Sequence, residues 1–510
     1  MKRSRSEMRK VRAACFAACG AVICAMLAGC NVGPKYVPPA MTAPAAYKES
    51  PAEFKESGAW SPAQPQDAAL RGKWWEIYNE PDLNALEEGL NVDNQNIRQA
   101  FENFMEARAV VRETRSQLFP TLSVGPSYTR SQSSSNLGSS SGGAGSGKQS
   151  QVFSLPGEVS WEPDLWGKVR NAIHSSQYTA QVTAADLANE RLAEQASLAE
   201  YFFEIRGQDA LEAILSQVVA VDRKSVEVEQ ARYDTGIDDQ IELQNAQTTL
   251  ESAQAAATNL KVARAQFEHA IAMLIGKPAS DFSIPEEAKT SVPPPIPLGL
   301  PSQLLERRPD VAAAERAMAA ANAQIGIAYA AFYPSLTLGG SGGMESSAIG
   351  KLLAASSRFW SVGPALSETV YDGGLRRAQV NQTIAAYNAD LAAYRQSVLT
   401  AFQQVEDALA EVRILSQQIA EQQAVIESAQ KAVDLEQGRY DSGLDPYGDV
   451  LTAQAGLLTS KQAQAGLEVE RMTASVALIE ALGGGWDRTQ LPTPAQITAK
   501  PLAAETAIQH

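Results

Sequence analysis

The block Arg232-Tyr233-Asp234-Thr235-Gly236-Ile237-Asp238 recurs 207 residues later as Arg439-Tyr440-Asp441-Ser442-Gly443-Leu444-Asp445. The same offset of 207 pairs Gly167 with Gly374, Arg170 with Arg377, Glu204 with Glu411, Arg206 with Arg413, Gln247 with Gln454 and Gly276 with Gly483. Two copies of one supersecondary plan are therefore expected to fold alike. Upstream, Phe119-Pro120-Thr121-Leu122-Ser123-Val124-Gly125 matches Tyr333-Pro334-Ser335-Leu336-Thr337-Leu338-Gly339 at an offset of 214. Between these blocks the first copy carries Ser131 to Gln149, dominated by Ser and Gly. Length changes collect in exposed loops, so this stretch is expected at a solvent-facing tip.

Each copy reads as helix, strand, loop, strand, long helix, turn, helix. Phe153, Leu155, Val159 and Trp161 alternate with Ser154, Glu158 and Ser160; Trp360, Val362, Leu366 and Val370 alternate with Ser361, Gly363, Ser367 and Thr369. Leu122 and Val124, like Leu336 and Leu338, face away from neighbouring Thr and Ser. One apolar face opposite one small polar face suits a membrane barrel wall, and a soluble sheet shares the pattern. From Gly167 to Arg232 there is no proline, and a helix of that length reaches about 100 Å at 1.5 Å per residue. Gly236 and Gly443 suit the left-handed position after a helix, and Asp238 and Asp445 are placed to cap the returning one.

Four strands cannot close a barrel, and an open strand edge in lipid leaves backbone groups without partners. Several chains must then share one barrel: two would give eight strands with a filled interior, three would give twelve with room for a channel.

All four cysteines, Cys15, Cys19, Cys24 and Cys30, lie in the first thirty residues, behind a basic start and along an apolar run from Ala13 to Gly29. That run is too short and wrongly flanked for a span. It ends in Leu27-Ala28-Gly29-Cys30, which resembles the lipobox of bacterial lipoproteins. The resemblance implies a signal peptide over 1–29 and lipid on Cys30; Asn31 behind it implies sorting to the outer membrane. Lys plus Arg number 43 against 58 Asp plus Glu, a net −15 that argues against gripping nucleic acid. Three histidines leave little material for metal or acid–base chemistry, so neither an enzyme nor a cofactor beyond the lipid is expected.

Five segments in order resemble the TolC/OprM-type outer-membrane factors, in their lipoprotein (NodT-like) branch. They are Cys30-Asn31-Val32-Gly33-Pro34-Lys35-Tyr36-Val37-Pro38-Pro39, Trp74-Trp75-Glu76-Ile77-Tyr78-Asn79-Glu80-Pro81-Asp82-Leu83, Leu304-Leu305-Glu306-Arg307-Arg308-Pro309-Asp310-Val311, Val405-Glu406-Asp407-Ala408-Leu409 and the two Arg-Tyr-x-x-Gly turns. The resemblance implies a mixed α/β membrane protein: a homotrimer with a shared twelve-stranded transmembrane β-barrel, four strands per chain, over a long antiparallel α-helical barrel in the periplasm. It implies an outer-membrane exit duct for small molecules or drugs, fed by a periplasmic adaptor protein and an inner-membrane pump. The expected divisions are 30–70 for a lipidated extended segment, 71–277 for the first repeat, 278–302 for a Pro-rich linker in an equatorial belt, 303–485 for the second repeat, and 486–510 for a loosely ordered tail.

In such channels the hairpin tips form the periplasmic gate. Here those are Arg232, Tyr233, Asp234, Gly236, Asp238 and Asp239 on one turn and Arg439, Tyr440, Asp441, Gly443, Asp445 and Asp449 on the other. An inward aspartate in three copies would make an acidic ring that favours cations and takes up protons as pH falls; alternatively these residues only cap and pack the turns. Gly448 and Thr452 stand where close relatives often carry Leu and Asp, with Asp449 as a substitute. Trp161, Trp166 and Trp360 are candidates for membrane-interface anchors. Gly339-Gly340-Ser341-Gly342-Gly343 fits the G-x-S-x-G pattern, but it continues a strand and lacks a placed histidine. Two other readings stay open: a polypeptide secretion duct of the same fold, and a periplasmic adaptor lipoprotein, which the repeat disfavours.

Overall fold

The computed structural model describes residues 31–39, 44, 47–49, 72–134, 149–237, 239–289, 291–296, 304 and 306–499. The first repeat contains helices α1 (Pro81–Asp93) and α2 (Gln95–Ser116), strands β1 (Thr121–Val124), β2 (Ser127–Gln132) and β3 (Gln149–Trp161), and helices α3 (Lys168–Asp234) and α4 (Gln240–Leu274). The second contains α5 (Pro309–Ala330), β4 (Ser335–Ser346), β5 (Arg358–Ser367), α6 (Leu375–Asp441) and α7 (Tyr447–Ala481), followed by a short α8 (Pro494–Thr498). Helices α3 and α6 are both 67 residues long, α4 and α7 both 35, and α2 and α5 both 22. The sequence offsets thus hold at both ends of each of these three pairs.

Each long helix enters from a glycine in the left-handed region, Gly167 at φ 79° and Gly374 at φ 95°. Each leaves through another, Gly236 at φ 73° and Gly443 at φ 69°. There Ile237 N donates to Arg232 O and Leu444 N to Arg439 O, each at 2.9 Å, so carbonyls of the last turn gain partners as the chain reverses. A Cβ at any of these positions would be strained.

Helix α3 packs along α2 and α5 towards the sheet and along α4 and α7 away from it; α6 packs on α5 and α7. Helices α2 and α4 therefore flank one side of the chain and α6 the other. Those flanks carry exposed apolar side chains, Val110 and Val262 on one and Leu399 and Ile414 on the other. The main core lies where the repeats meet: Trp74, Leu83, Leu198, Phe202, Ile271 and Ile479 are all fully buried. Residues 282–289 run against α3, with Arg206 Nη1 donating to Pro285 O at 2.8 Å and Glu287 N to Asp209 Oδ2 at 3.0 Å.

The sheet is antiparallel throughout, in the order β1/β2, β3, β4, β5. Segments β1 and β2 are one strand in all but hydrogen bonding: Leu122 faces Val159 and Tyr128 faces Phe153 in a single unbroken register. The ladder skips only Gly125 and Pro126; Pro126 and Pro156, which stands opposite Gly125, both lack an N–H. Four strands therefore cross the sheet, as expected from the alternation. Strand β5 ends at Ser367, and Thr369 and Val370, expected within it, lie in the following turn. Arg376 closes that turn by bonding Glu368, Asp372 and Thr369 O.

Residues 486–499 are not loosely ordered as expected. Ile497 is fully buried beside Val111 and Ala180, and the Arg108 guanidinium donates to Ile497 O, Gln496 O and Ala499 O. Thr493 and Gln496 form a capping box that starts α8.

Candidate functional site: the hairpin tips and the sheet

At the first tip Asp239 is the cap of α4, its carboxylate accepting from Ile241 N at 2.8 Å and Glu242 N at 3.3 Å. Asp234 accepts from Gln230 Nε2 at 2.9 Å, and Arg232 lies 3.8 Å from Glu229. Tyr233 is exposed. Asp238 lies outside the described residues, as does Cys30.

The second tip is built differently. Pro446 occupies the position before α7 with no side-chain cap, so Asp445 does not cap the helix as expected. It binds Arg439 instead, accepting from Nη2 at 2.9 Å and also from Nε. That hydrogen bond, with the guanidinium charge behind it, holds the Asp445 carboxyl below the usual carboxylate range. Early protonation on acidification, expected for an acidic ring, is therefore opposed at this residue within its own chain. Tyr440 packs on Tyr447 with ring centres 5.0 Å apart, and Asp441 accepts from Gln437 Nε2 at 2.8 Å. Asp449 lies with Glu436 and Asp445 in a group whose oxygens come within 4.8 Å of one another, the one such cluster among the described residues. Sequence inspection missed Glu436 and Tyr447. Glu436 precedes Arg439 by one helical turn, a spacing that could have drawn attention to it.

In the sheet, register separates two surfaces. One carries Leu122, Val124, Tyr128, Phe153, Leu155, Val159, Trp161, Leu336, Leu338, Trp360, Val362 and Leu366; the other is mostly Ser, Thr and Gly. Trp360 is 80% exposed on the apolar surface, a free aromatic side chain as an interface anchor requires. Trp161 donates to Leu118 O at 3.0 Å, and Trp166 stacks on Tyr333 and donates to Pro334 O at 2.7 Å, so both pin the sheet to the helices. Ser341 sits mid-strand with its hydroxyl 3.1 Å from that of Ser361.

The amino-terminal segment docks at this same junction. Val32 N donates to Trp166 O at 3.1 Å, Asn171 Nδ2 to Val32 O at 3.3 Å and Asn322 Nδ2 to Pro34 O at 3.1 Å. A Cβ on Gly33 would stand 2.6 Å from the Gly326 Cα, so only glycine lets the two backbones approach. Tyr36 then donates to the buried Glu315, which also pairs with Arg316 and Arg488.

A sheet with one lipid-compatible face and one hydroxyl-rich face, joined to helical rods about 100 Å long, has the form of a membrane-barrel wall with a long helical extension. The family model for outer membrane efflux proteins matches residues 89–277 and 300–484. The toluene efflux pump outer membrane protein TtgC of Pseudomonas putida is 30% identical over 469 residues, covering 91% of this chain and 95% of that protein. Outer membrane protein OprJ of Pseudomonas aeruginosa is 30% identical over 482 residues, covering 94% and 97%. The solved structure of the outer-membrane channel OprN superposes with a TM-score of 0.79 at 28% identity, covering 90% of this chain and all of that one. The chain belongs to the outer membrane efflux protein family. It is the outer-membrane exit duct of an efflux system, as its resemblance implied.

Proposed function

We propose that three copies of this chain complete one twelve-stranded barrel and one helical tunnel, through which a periplasmic adaptor and an inner-membrane pump expel small molecules. The observation that carries this reading is the four-stranded sheet, which has an apolar band on one face and whose β1/β2 and β5 edges are both unpaired among the described residues. From Phe153 to Trp161 that band follows the strand for roughly 27 Å, or about 20 Å of membrane depth at the usual barrel tilt. Pairing β5 of one copy with β1/β2 of the next removes every edge from lipid. The flank of α6 then meets the neighbouring flank of α2 and α4, covering their exposed apolar side chains.

Lipid on Cys30 is the one non-protein group in this reading. Residues 32–36 are held where the sheet meets the helices, which supports a lipid anchor at the base of the barrel. Several acyl chains at roughly 0.8 kcal/mol per buried CH₂ anchor it firmly. The duct is passive, with no catalytic step. The two hairpin tips form the periplasmic gate, and Arg439 with Asp445 sets the shape of the second one.

Two measurements on the detergent-purified particle test this. The native mass is expected at three chains, and labelled palmitate is expected on the wild type and absent from Cys30→Ala. A monomeric particle would overturn the shared barrel; an unlabelled wild type would overturn the anchor.

A further inference from the structure

The five strand segments contain four charged side chains, and register sorts them by sign. Arg130 and Arg358 lie on the apolar surface with Leu155 and Trp360, whereas Glu158 and Glu345 lie on the hydroxyl-rich surface. That surface comprises 22 residues, of which 13 are Ser or Thr and none is Lys or Arg. Both glutamates are exposed and have no ion-pair partner among the described residues. Small hydroxyl side chains neither crowd a lumen nor neutralise a carboxylate.

We propose that the barrel wall is itself a charge filter of the duct, with Glu158 and Glu345 as its selectivity residues, favouring inorganic and organic cations over anions. The proposal rests on the trimeric reading: three copies place six carboxylates in two rings. Glu158 lies opposite Ser341 and Glu345 four residues further along β4, so the rings stand roughly 14 Å apart along the strand. At the usual barrel tilt that is about 10 Å along the pore axis, close to the Debye length of about 8 Å at physiological salt, so the two rings reinforce each other in acting on passing ions. Carboxylates without ion-pair partners on a lumen wall concentrate cations and disfavour anions. The contrast with the hairpin tip is direct, since Asp445 is already matched by Arg439 within its own chain.

The test is the reversal potential of single channels in planar bilayers under a KCl gradient. Wild type, Glu158→Gln, Glu345→Gln, the double variant and Glu345→Lys are compared as intact trimers. The wild type is expected to prefer K⁺. Each single Gln variant lowers the K⁺/Cl⁻ permeability ratio, the double variant lowers it by at least about twofold, and Glu345→Lys shifts it further towards Cl⁻. The differences shrink as salt approaches 1 M, where the Debye length is about 3 Å; a merely structural effect would not follow salt in this way. Trimeric channels whose permeability ratio ignores all four substitutions would overturn the filter and leave the duct standing. A particle that is not trimeric, or forms no channel, would overturn both.

Discussion

Arg206 and Arg413, related by the 207-residue repeat, each hold an extended segment against a long helix. Arg206 Nη1 donates to Pro285 O at 2.8 Å, tying down the segment that joins the repeats, and Arg413 Nε donates to Glu49 Oε2 at 3.0 Å, tying down the amino-terminal segment. Their surroundings differ. The Arg206 side chain is 8% exposed among Asp82, Asp209 and Glu287, whereas that of Arg413 is 33% exposed. Removing one partner from a buried charge network costs about 3 kcal/mol, and from a half-exposed pair about 1 kcal/mol or less. Arg206→Met should therefore lower the melting temperature clearly more than Arg413→Met in parallel thermal unfolding scans. Equal losses would show that burial does not separate the two sites.

The second hairpin tip carries a conductance prediction. Replacing Asp445 and Asp449 together by alanine removes the partner of Arg439 and loosens the turn, and single-channel conductance should rise. Because Arg439 holds the Asp445 carboxyl low, that residue is ionised well below neutrality. A lowered carboxyl retains its paired form above its ordinary range and loses it only as pH falls through the depressed value. The gain in conductance should thus be the same at pH 7 and pH 5. Unchanged conductance, or a gain that vanishes at pH 5, would remove Asp445 from the gate.

Where α3 crosses α7, burial and then the charges of Glu480 and Glu204 push Glu200 up to about 7. Burial also raises Glu480, which faces Arg308 and Asp310, and raises Glu204, which faces Glu470. For a carboxyl raised in the folded state, the native protein holds a proton that the unfolded chain has released. Stability therefore falls as pH rises from about 4.5 to about 7. Glu200→Gln keeps the neutral form throughout, so its melting temperature should exceed that of the wild type more at pH 8 than at pH 5. A pH-independent difference would mean that Glu200 does not titrate in this window.

Within the sheet, Gly343 faces Pro156, and a Cβ there would stand 2.2 Å from Leu155 O and 2.8 Å from the Pro156 Cα. These are backbone atoms that cannot swing aside. Gly350, in the loop between β4 and β5, has nothing within 4 Å. Gly343→Ala should cost about 1–3 kcal/mol and reduce the yield of assembled particle, while Gly350→Ala should leave it unchanged. Indistinguishable yields on a heat-titrated gel would show that the central strand accommodates the methyl group.

Much of this architecture was legible because it is written in short periods. The repeat placed every long-helix end, since Gly167, Gly236, Gly374 and Gly443 recur at positions where the backbone itself demands glycine. Alternation of Phe153, Leu155, Val159 and Trp161 with small polar residues assigned the faces of β3, because a one-residue slip would invert them. The features that escaped depend on partners distant in sequence. Arg108 gathers the carbonyls of residues 496–499 across nearly the whole chain, and nothing local to either segment announces it. Asp445 was expected to cap like its repeat partner Asp238, but the cap position falls one residue later, at Asp239 in the first copy and at Pro446 in the second, which leaves the Asp445 carboxylate to Arg439. The end of β5 at Ser367 was hidden because Thr369 and Val370 continue the alternation while Arg376 bends the chain away.

The central claim, that neighbouring chains pair β5 with β1/β2, is tested most directly by cysteine cross-linking. Single cysteines on β1 (Leu122→Cys or Val124→Cys) are combined with single cysteines on β5 (Trp360→Cys, Val362→Cys or Leu366→Cys). Within one chain these strands are separated by two others, about 14 Å, beyond disulfide reach. Oxidation of at least one pairing is predicted to yield a ladder of covalent dimer and trimer that stops at three. Monomer alone in every pairing, or a ladder that runs past three, would contradict the shared twelve-stranded barrel.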